Sequence, residues 1–88
     1  MAARVRMYTT LICPYCIRAK ILLKRKGVAY EEINVGGDHE TRAWLVKTTG
    51  RRTVPQIFIN DESIGGFDEM AALDRAGELD KKLAQAAA

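Results

Sequence analysis

The sequence Cys-Pro-Tyr-Cys at positions 13–16 limits the fold of this chain most strongly, because it joins an apolar, strand-like run at residues 5–8 to a helix-like run. Pro14 has a fixed φ and no N–H, which suit the first residue of a helix. Cys13 is then the predicted N-cap, where the helix dipole stabilises a thiolate. Cys16 lies one turn along the same face, within reach of Cys13 for a disulfide. The motif therefore predicts a redox-active cysteine pair.

Two other uses of a Cys-x-x-Cys pair are less favoured. A closed zinc site needs four ligands, and His39 is the only sulfur or imidazole candidate beyond the two cysteines. A structural disulfide across so short a loop would remove little entropy from the unfolded chain. We therefore expect thiol redox chemistry and no bound metal.

The length and composition favour a single domain spanning residues 1–88, with 48% hydrophobic residues available for a core. The first residues lack the apolar segment of a secretory signal, and no apolar run approaches the ~20 residues that span a bilayer. We therefore expect a cytoplasmic monomer with no membrane partner. In a reducing compartment, two cysteines are more often catalytic than structural.

The net charge of +3 is modest, and the basic residues include two short clusters at residues 24–26 and 51–52. Neither cluster is interleaved with aromatic residues, as surfaces that bind nucleic acids usually are. Gly27 follows the first cluster, an arrangement that suits the C-terminus of a helix. We expect no nucleic-acid partner.

Hydrophobic periodicity and turn residues divide the chain into alternating strands and helices. The predicted strands are residues 4–9, 28–35, 56–60 and 63–66, and the predicted helices are residues 14–26, 39–49 and 67–76. The first two strands flank a helix and should be parallel, whereas the last two form a hairpin. This order predicts an α/β, thioredoxin-like fold with a four-stranded mixed sheet flanked by helices, βαβαββα.

Single residues refine the predicted helices. Asp38 is the expected N-cap of the second helix, and Gly50 is its expected stop. In the first helix, Ile17, Ile21 and Leu22 are expected to form the buried face.

The remaining apolar side chains are assigned to packing. A short amphipathic tail is expected to carry Leu79 and Leu83 back onto the core, and residues 86–88 are expected to fray. Trp44 is expected to be a core or half-buried packing residue. His39 is expected at the surface, with no catalytic role.

The sequence Thr53-Val54-Pro55 precedes a strand that otherwise reads as central, where proline cannot donate a hydrogen bond. Pro55 is therefore a candidate for a cis peptide bond. The backbone N–H and C=O of Val54 would then be exposed and could pair with an extended, peptide-like substrate. The alternative is an ordinary trans proline at a strand edge.

Residues 65–69, Gly-Gly-Phe-Asp-Glu, form a glycine turn that leads into a helix N-terminus. Free backbone N–H groups at such a terminus point towards a neighbouring anion. Asp68 adds a negative charge, which suits an amino-acid group carrying both a carboxylate and an ammonium. The alternative is a plain turn with Asp68 as a cap.

The three motifs at residues 13–16, 53–55 and 65–69, in this order and spacing, resemble those of dithiol glutaredoxins, and the similarity covers nearly the whole chain. The resemblance implies a glutaredoxin fold that binds glutathione in a groove. It also implies reduction of protein disulfides and of glutathionylated proteins, with glutathione as the reductant. Glutathione reductase and NADPH would support the cycle indirectly.

The resemblance also implies residue roles. Cys13 would be the nucleophile and Cys16 the resolving thiol, and Tyr15 would form a wall of the groove. Thr53 and Val54 would hold the cysteinyl part of glutathione through backbone bonds.

The remaining glutathione contacts are implied in the same way. Pro55 would be cis beside the cysteinyl part, and Phe67 and Asp68 would contact the γ-glutamyl end. Arg42 would contact the glycine carboxylate.

One position departs from the family pattern. Glutaredoxins of this kind commonly carry lysine three residues before the first cysteine, and Thr10 stands there. Arg42 and Lys20 are the candidate replacements for the missing cation. Two alternatives remain open: a redoxin of the same fold reduced by thioredoxin reductase, and an iron–sulfur carrier in which two chains share a cluster held by Cys13 thiolates and glutathione.

Overall fold

The computed structural model describes residues 3–85 and shows one four-stranded sheet with helices on both faces. The elements in chain order are β1 (Val5–Thr9), α1 (Pro14–Arg25), β2 (Glu31–Asn34), α2 (His39–Thr49), β3 (Gln56–Ile59), β4 (Glu62–Gly65), α3 (Phe67–Arg75) and α4 (Glu78–Ala84). The predicted α/β class and mixed sheet are confirmed. The predicted order βαβαββα gains one further helix at its end.

The sheet has the strand order β2-β1-β3-β4. β1 is parallel to β2 and antiparallel to β3, which pairs with β4 as a hairpin. The parallel pair requires α1 as its crossover connection. The carboxyl end of the central strand β1 therefore leads directly to the N-terminus of α1, where the cysteine motif lies.

Apolar clusters cover both faces of the sheet. One cluster joins strand residues to α1, α3 and α4, and its most buried members include Met7, Leu23, Met70 and Leu79. The other joins the sheet to α2 through Tyr8, Val35, Leu45 and Phe58. The central strands β1 and β3 are therefore buried on both faces, which fixes the end of β1 that leads to the cysteine motif.

Several predicted strand ends were displaced by turns. The second strand begins at Glu31 rather than at residue 28, because the Val28 N–H donates to the Leu23 carbonyl at 3.4 Å and continues the turn after α1. The third strand stops before Asn60, because Asn60 and Asp61 both have positive φ, of 50° and 68°. Two such residues form the tight turn of the β3–β4 hairpin.

The predicted buried face of α1 was wrong for two of its three residues. Ile17 and Ile21 are 55% and 50% exposed, and only Leu22 is buried. The helix instead buries one stripe, which is determined by the orientation in which α1 packs against the sheet. The buried residues are Cys16, Ala19, Leu22 and Leu23. Apolarity alone could not separate these two overlapping faces.

This difference predicts a contrast in stability within one helix. Leu23→Ala is expected to lower the free energy of unfolding by about 2–5 kcal/mol, because it empties a fully buried site. Ile17→Ala is expected to lower it by less than about 1 kcal/mol, because that side chain is half exposed. Urea unfolding of the two variants measures both, and equal losses would contradict the observed helix face.

The C-terminal segment is helical rather than a simple tail. Leu79 and Leu83 of α4 are buried in the core, as predicted, and the Ala3 N–H donates to the Leu83 carbonyl at 3.1 Å. The predicted fraying of residues 86–88 concerns residues outside the described range. Between residues 3 and 85, no helix combines the length and the apolarity needed to cross a membrane.

Candidate active site

Cys13 is the N-cap of α1, as predicted, with Pro14 as the first helical residue. Its backbone is extended (φ −152°, ψ 101°), and its Sγ accepts a hydrogen bond from the Cys16 N–H at 3.1 Å. The N–H donor and the positive end of the helix dipole both favour negative charge on this sulfur. Cys13 Sγ is therefore the sulfur placed at the helix N-terminus to attack a substrate disulfide.

Cys16 occupies a different environment, although both thiols are reduced. Only 1% of Cys16 is exposed. Burial, followed by the hydrogen bond with the Cys13 side chain, raises the pKa of Cys16 to about 12. The Thr10 backbone and the more distant Lys20 act in the opposite direction but less strongly. Near neutral pH, Cys16 is consequently a protonated, buried thiol.

The loop before β3 approaches the same sulfur. The Val54–Pro55 peptide bond is cis, as predicted. The Cys13 thiol donates to the Val54 carbonyl with an Sγ···O distance of 3.7 Å. Among residues 3–85 the Val54 N–H has no hydrogen-bond partner. A peptide-like group lying beside Cys13 could therefore use this N–H.

Gln56, for which no role was predicted from the sequence, fixes the position of this loop. Its side chain is 1% exposed, and its Nε2 donates to the Thr53 carbonyl at 2.7 Å. Its Oε1 is buried and has no partner within the described part of the chain. A buried amide on the rigid strand β3 thus anchors the segment that contacts Cys13.

The N-terminus of α3 forms the opposite side of the site. The Glu69 carboxylate accepts a hydrogen bond from the Gly66 N–H at 2.7 Å and from the Arg51 guanidinium at 2.8 Å. Gly65 has φ 108°, and a Cβ there would lie 2.9 Å from Glu69 Cγ, so only glycine fits. Asp68 is exposed, and no hydrogen bond or ion pair to it is found among residues 3–85.

The Glu69 contacts predict a pH dependence of stability. The Gly66 N–H, and then Arg51, lower the pKa of Glu69 below its ordinary value of 4.5. A lowered folded-state pKa stabilises the fold above pH 4.5, and this contribution is lost as the pH falls through the folded-state value. Urea unfolding over this acidic range should show a smaller loss of stability in Glu69→Gln than in the wild type. Equal losses would contradict the carboxylate's role.

A groove of about 270 Å³ connects these elements. It is lined by Tyr15, Arg51, Thr53, Val54, Pro55, Gly66, Phe67, Asp68 and Glu69. The structure therefore brings together six of the seven residues for which a role in glutathione binding was expected. The cis-proline loop and the α3 N-terminus form its two walls beside the cysteine motif.

Arg42, the seventh residue, lies outside this groove. Its Nη2 donates to the Arg52 carbonyl at 3.3 Å, and it lines a smaller hollow that also includes Thr53 and Val54. The arginine that lines the groove is Arg51, which was predicted only to belong to a basic cluster. Its position two residues before Thr53 could have indicated that it lies beside the groove.

Lys20 does not replace the missing lysine at Thr10. Its Nζ pairs with the Glu32 carboxylate at 2.6 Å, and Glu32 also accepts from Thr9 Oγ1 at 2.8 Å. The ion pair raises the pKa of Lys20, and the same contacts lower the pKa of Glu32. The Lys20 ammonium is therefore paired with Glu32 of β2 and is not free to bind a ligand beside Cys13.

Neither Trp44 nor His39, which were given no catalytic role, lies in the groove. Trp44 is 42% exposed, more than predicted, although its ring centroid lies 5.8 Å from that of Tyr8 and 5.9 Å from that of Phe58. His39 is exposed at the start of α2. Residues 3–85 contain no group of three or more histidine, cysteine or acidic side chains arranged to hold a metal ion.

Comparison with known proteins gives consistent matches. The family model for glutaredoxin matches residues 5–64. A glutaredoxin of Pseudomonas aeruginosa is 54% identical over 79 residues, covering 90% of this chain and 94% of that protein. Glutaredoxin 3 of Escherichia coli K12 is 49% identical over 81 residues, covering 92% of this chain and 98% of that protein.

Solved structures agree with the sequence matches. The solution structure of a glutaredoxin from Brucella melitensis superposes with a TM-score of 0.83 at 45% identity, covering 93% of this chain and 89% of that one. The crystal structure of a buckwheat glutaredoxin–glutathione complex superposes with a TM-score of 0.86 at 32% identity, covering 92% of this chain and 76% of that one.

Proposed function

Because this chain belongs to the glutaredoxin family and is a thiol–disulfide oxidoreductase, we propose that glutathione is its reductant and that it reduces both protein disulfides and glutathionylated proteins. The strongest support is the position of Cys13 Sγ, which lies between the Cys16 N–H and the Val54 carbonyl beside the groove. A buckwheat relative at 32% identity has been solved as a glutathione complex.

The cysteinyl part of glutathione is assigned to the loop before β3. The Val54 N–H and carbonyl would pair with its backbone, as a neighbouring strand would. The Val54 carbonyl already lies 3.7 Å from Cys13 Sγ, so a cysteine paired there would present its sulfur to the nucleophile. Thr53 and the cis Pro55 would complete this wall, and Tyr15 would cover the other side.

The γ-glutamyl end is assigned to the N-terminus of α3. Its carboxylate would accept hydrogen bonds from the N–H groups of Phe67 and Asp68, which have no partner among residues 3–85 and lie in the first turn of α3. Its ammonium would pair with the exposed Asp68 carboxylate. Arg51 lines the same wall but is paired with Glu69. Arg42, which lines the neighbouring hollow together with Thr53, is assigned to the glycine carboxylate.

Asp68→Asn tests this assignment. Loss of one charge-assisted contact is expected to raise the KM for glutathione roughly tenfold with little change in kcat. Asp61→Asn, an exposed aspartate in the β3–β4 turn, is the matched control. Equal KM values for the two variants would remove Asp68 from the glutathione site.

For a glutathionylated protein, the Cys13 thiolate attacks the glutathione sulfur. A disulfide forms between Cys13 and glutathione as the original disulfide breaks, and the electron pair leaves on the substrate cysteine, which takes a proton from water. A second glutathione thiolate then attacks the glutathione sulfur bound to Cys13. Glutathione disulfide leaves and the Cys13 thiolate is restored, without any need for Cys16.

A protein disulfide follows a second route. Cys13 first forms a mixed disulfide with one substrate cysteine, and the other leaves as a thiolate. Cys16 then loses its proton and attacks Cys13 Sγ, which releases the reduced protein and forms the Cys13–Cys16 disulfide. Two glutathione molecules reduce this disulfide in turn. Glutathione reductase and NADPH would regenerate glutathione for a monomer working in the cytoplasm.

A choice of electron donors tests the proposal. We expect turnover of a glutathionylated peptide with glutathione, glutathione reductase and NADPH, measured as NADPH oxidation. With thioredoxin reductase and NADPH in place of the glutathione system, we expect none. The reverse result would identify a redoxin of the same fold with a different donor and would remove the glutathione assignments.

A further inference from the structure

A second groove, the α1–α3 groove, lies between these two helices. It has a volume of about 290 Å³ and is lined by Arg18, Ile21, Leu22, Arg25, Phe67, Ala71, Asp74 and Arg75. Phe67 lines both this groove and the groove beside the cysteine motif. A molecule that reacts at Cys13 could therefore continue past Phe67 into the α1–α3 groove.

Several large apolar side chains close to the cysteine motif in the sequence are exposed. Leu11 and Ile12, directly before the nucleophile, are 86% and 90% exposed. Tyr15, Ile17 and Ile21 of α1 are about half exposed. None of these side chains belongs to the two core clusters, and all lie within eight positions of Cys13 in the sequence. Exposed apolar side chains close to a reactive group favour contact with another protein.

The charges of the α1–α3 groove are predominantly positive. Arg18, Arg25 and Arg75 line it, and among residues 3–85 none of the three forms an ion pair. Its one carboxylate, Asp74, is bound by Lys26 at 2.5 Å. The groove thus combines apolar lining residues with three arginines that have no carboxylate partner among residues 3–85.

We propose that the α1–α3 groove docks the protein substrate itself, through an extended segment that carries acidic and apolar residues near the reactive cysteine. This proposal rests on the function proposed above and adds a preference among protein substrates. The apolar side chains of the segment would contact Ile21 and Phe67. Its carboxylates would pair with the three arginines and raise the rate of encounter.

Helix geometry sets the spacing of the acidic residues. Arg18 and Arg25 are five and twelve positions after Cys13, or about 7.5 and 18 Å along a helix rising 1.5 Å per residue. An extended segment advances about 3.3 Å per residue. The favoured carboxylates should therefore lie about two or three, and about five or six, residues from the substrate cysteine.

Two glutathionylated peptides test the proposal. One carries glutamates at both spacings on each side of the cysteine, and the other carries glutamines there. A small mixed disulfide of glutathione and mercaptoethanol reports on the chemistry alone. For the wild-type protein we expect kcat/KM for the glutamate peptide to exceed that for the glutamine peptide about tenfold, and the preference to decline as salt is added.

The variant Arg25→Glu/Arg75→Glu should abolish this preference. Relative to the small disulfide, its kcat/KM for the glutamate peptide is expected to fall at least about tenfold. Lys24→Glu/Lys47→Glu makes the same change in net charge at exposed residues outside the groove and should keep the preference. Arg25→Gln/Arg75→Gln, a milder change, should give an intermediate loss if both variants remain folded by circular dichroism.

The possible failures are distinguishable. Equal kcat/KM values for the two peptides in the wild type, or an equal loss in the lysine variant, would overturn the docking site while leaving the enzyme's chemistry intact. Absence of glutathione-driven turnover with all three substrates would overturn the proposed function, and the docking proposal with it.

Discussion

Replacing Cys13 with serine is expected to reduce turnover of both protein disulfides and glutathionylated peptides to the rate of uncatalysed exchange. Cys13 Sγ is the sulfur at the helix N-terminus beside the Val54 carbonyl, and a serine hydroxyl there does not ionise near neutral pH. Cys16→Ser is expected to keep turnover of glutathionylated peptides within a few-fold of the wild type. The same variant should lose turnover of protein disulfides.

This pair of variants separates the two routes, because only the second route uses Cys16. Glutathione-dependent NADPH oxidation with each substrate measures both. Loss of glutathionylated-peptide turnover in Cys16→Ser would show that both routes require the dithiol. Retained activity in Cys13→Ser would show that the nucleophile has been assigned to the wrong cysteine.

Alkylation of the reduced protein is expected to be confined to Cys13. Because the pKa of Cys16 is raised to about 12, roughly one Cys16 in ten thousand is a thiolate at about pH 8. Cys16 is also almost completely buried. Iodoacetamide at this pH should therefore add one group per chain, which peptide mass spectrometry should locate on Cys13.

Raising the pH extends this prediction. Modification of Cys16 should become appreciable only as the pH approaches 12, provided that the chain remains folded. Unfolding in urea at about pH 8 is the control, since it removes the burial that raises the pKa and should expose both thiols to alkylation. Modification of Cys16 in the folded protein at about pH 8 would contradict the raised pKa of Cys16.

The sequence predicted those parts of the site that have local causes. Cys13 caps α1 because Pro14 follows it, and Asp38 caps α2 because its side chain accepts from the Thr41 N–H three residues later. Gly50 ends α2 with φ 73°, a conformation that glycine adopts readily. Each of these features depends on neighbours within one helical turn, which the sequence displays directly.

Features that depend on distant contacts could not be predicted in this way. Arg51 and Glu69 are separated by 18 positions, and only the approach of the loop before β3 to α3 creates their ion pair. Gln56 anchors the loop because β3 is buried on both faces. The buried stripe of α1 likewise depends on the position of the sheet, so Ile17 could not be recognised as exposed from its own helix.

The direction of glutathione transfer tests the central claim most directly. The Cys16→Ser variant, mixed with a glutathionylated peptide and no free glutathione, is stopped with acid and digested, and mass spectrometry identifies the group on Cys13. We predict a glutathionyl group on Cys13 and a free peptide thiol, because in the proposed mode of binding the groove would hold glutathione with its sulfur facing Cys13 Sγ. The peptide on Cys13 with glutathione released would contradict it, since the groove would then not be selecting glutathione.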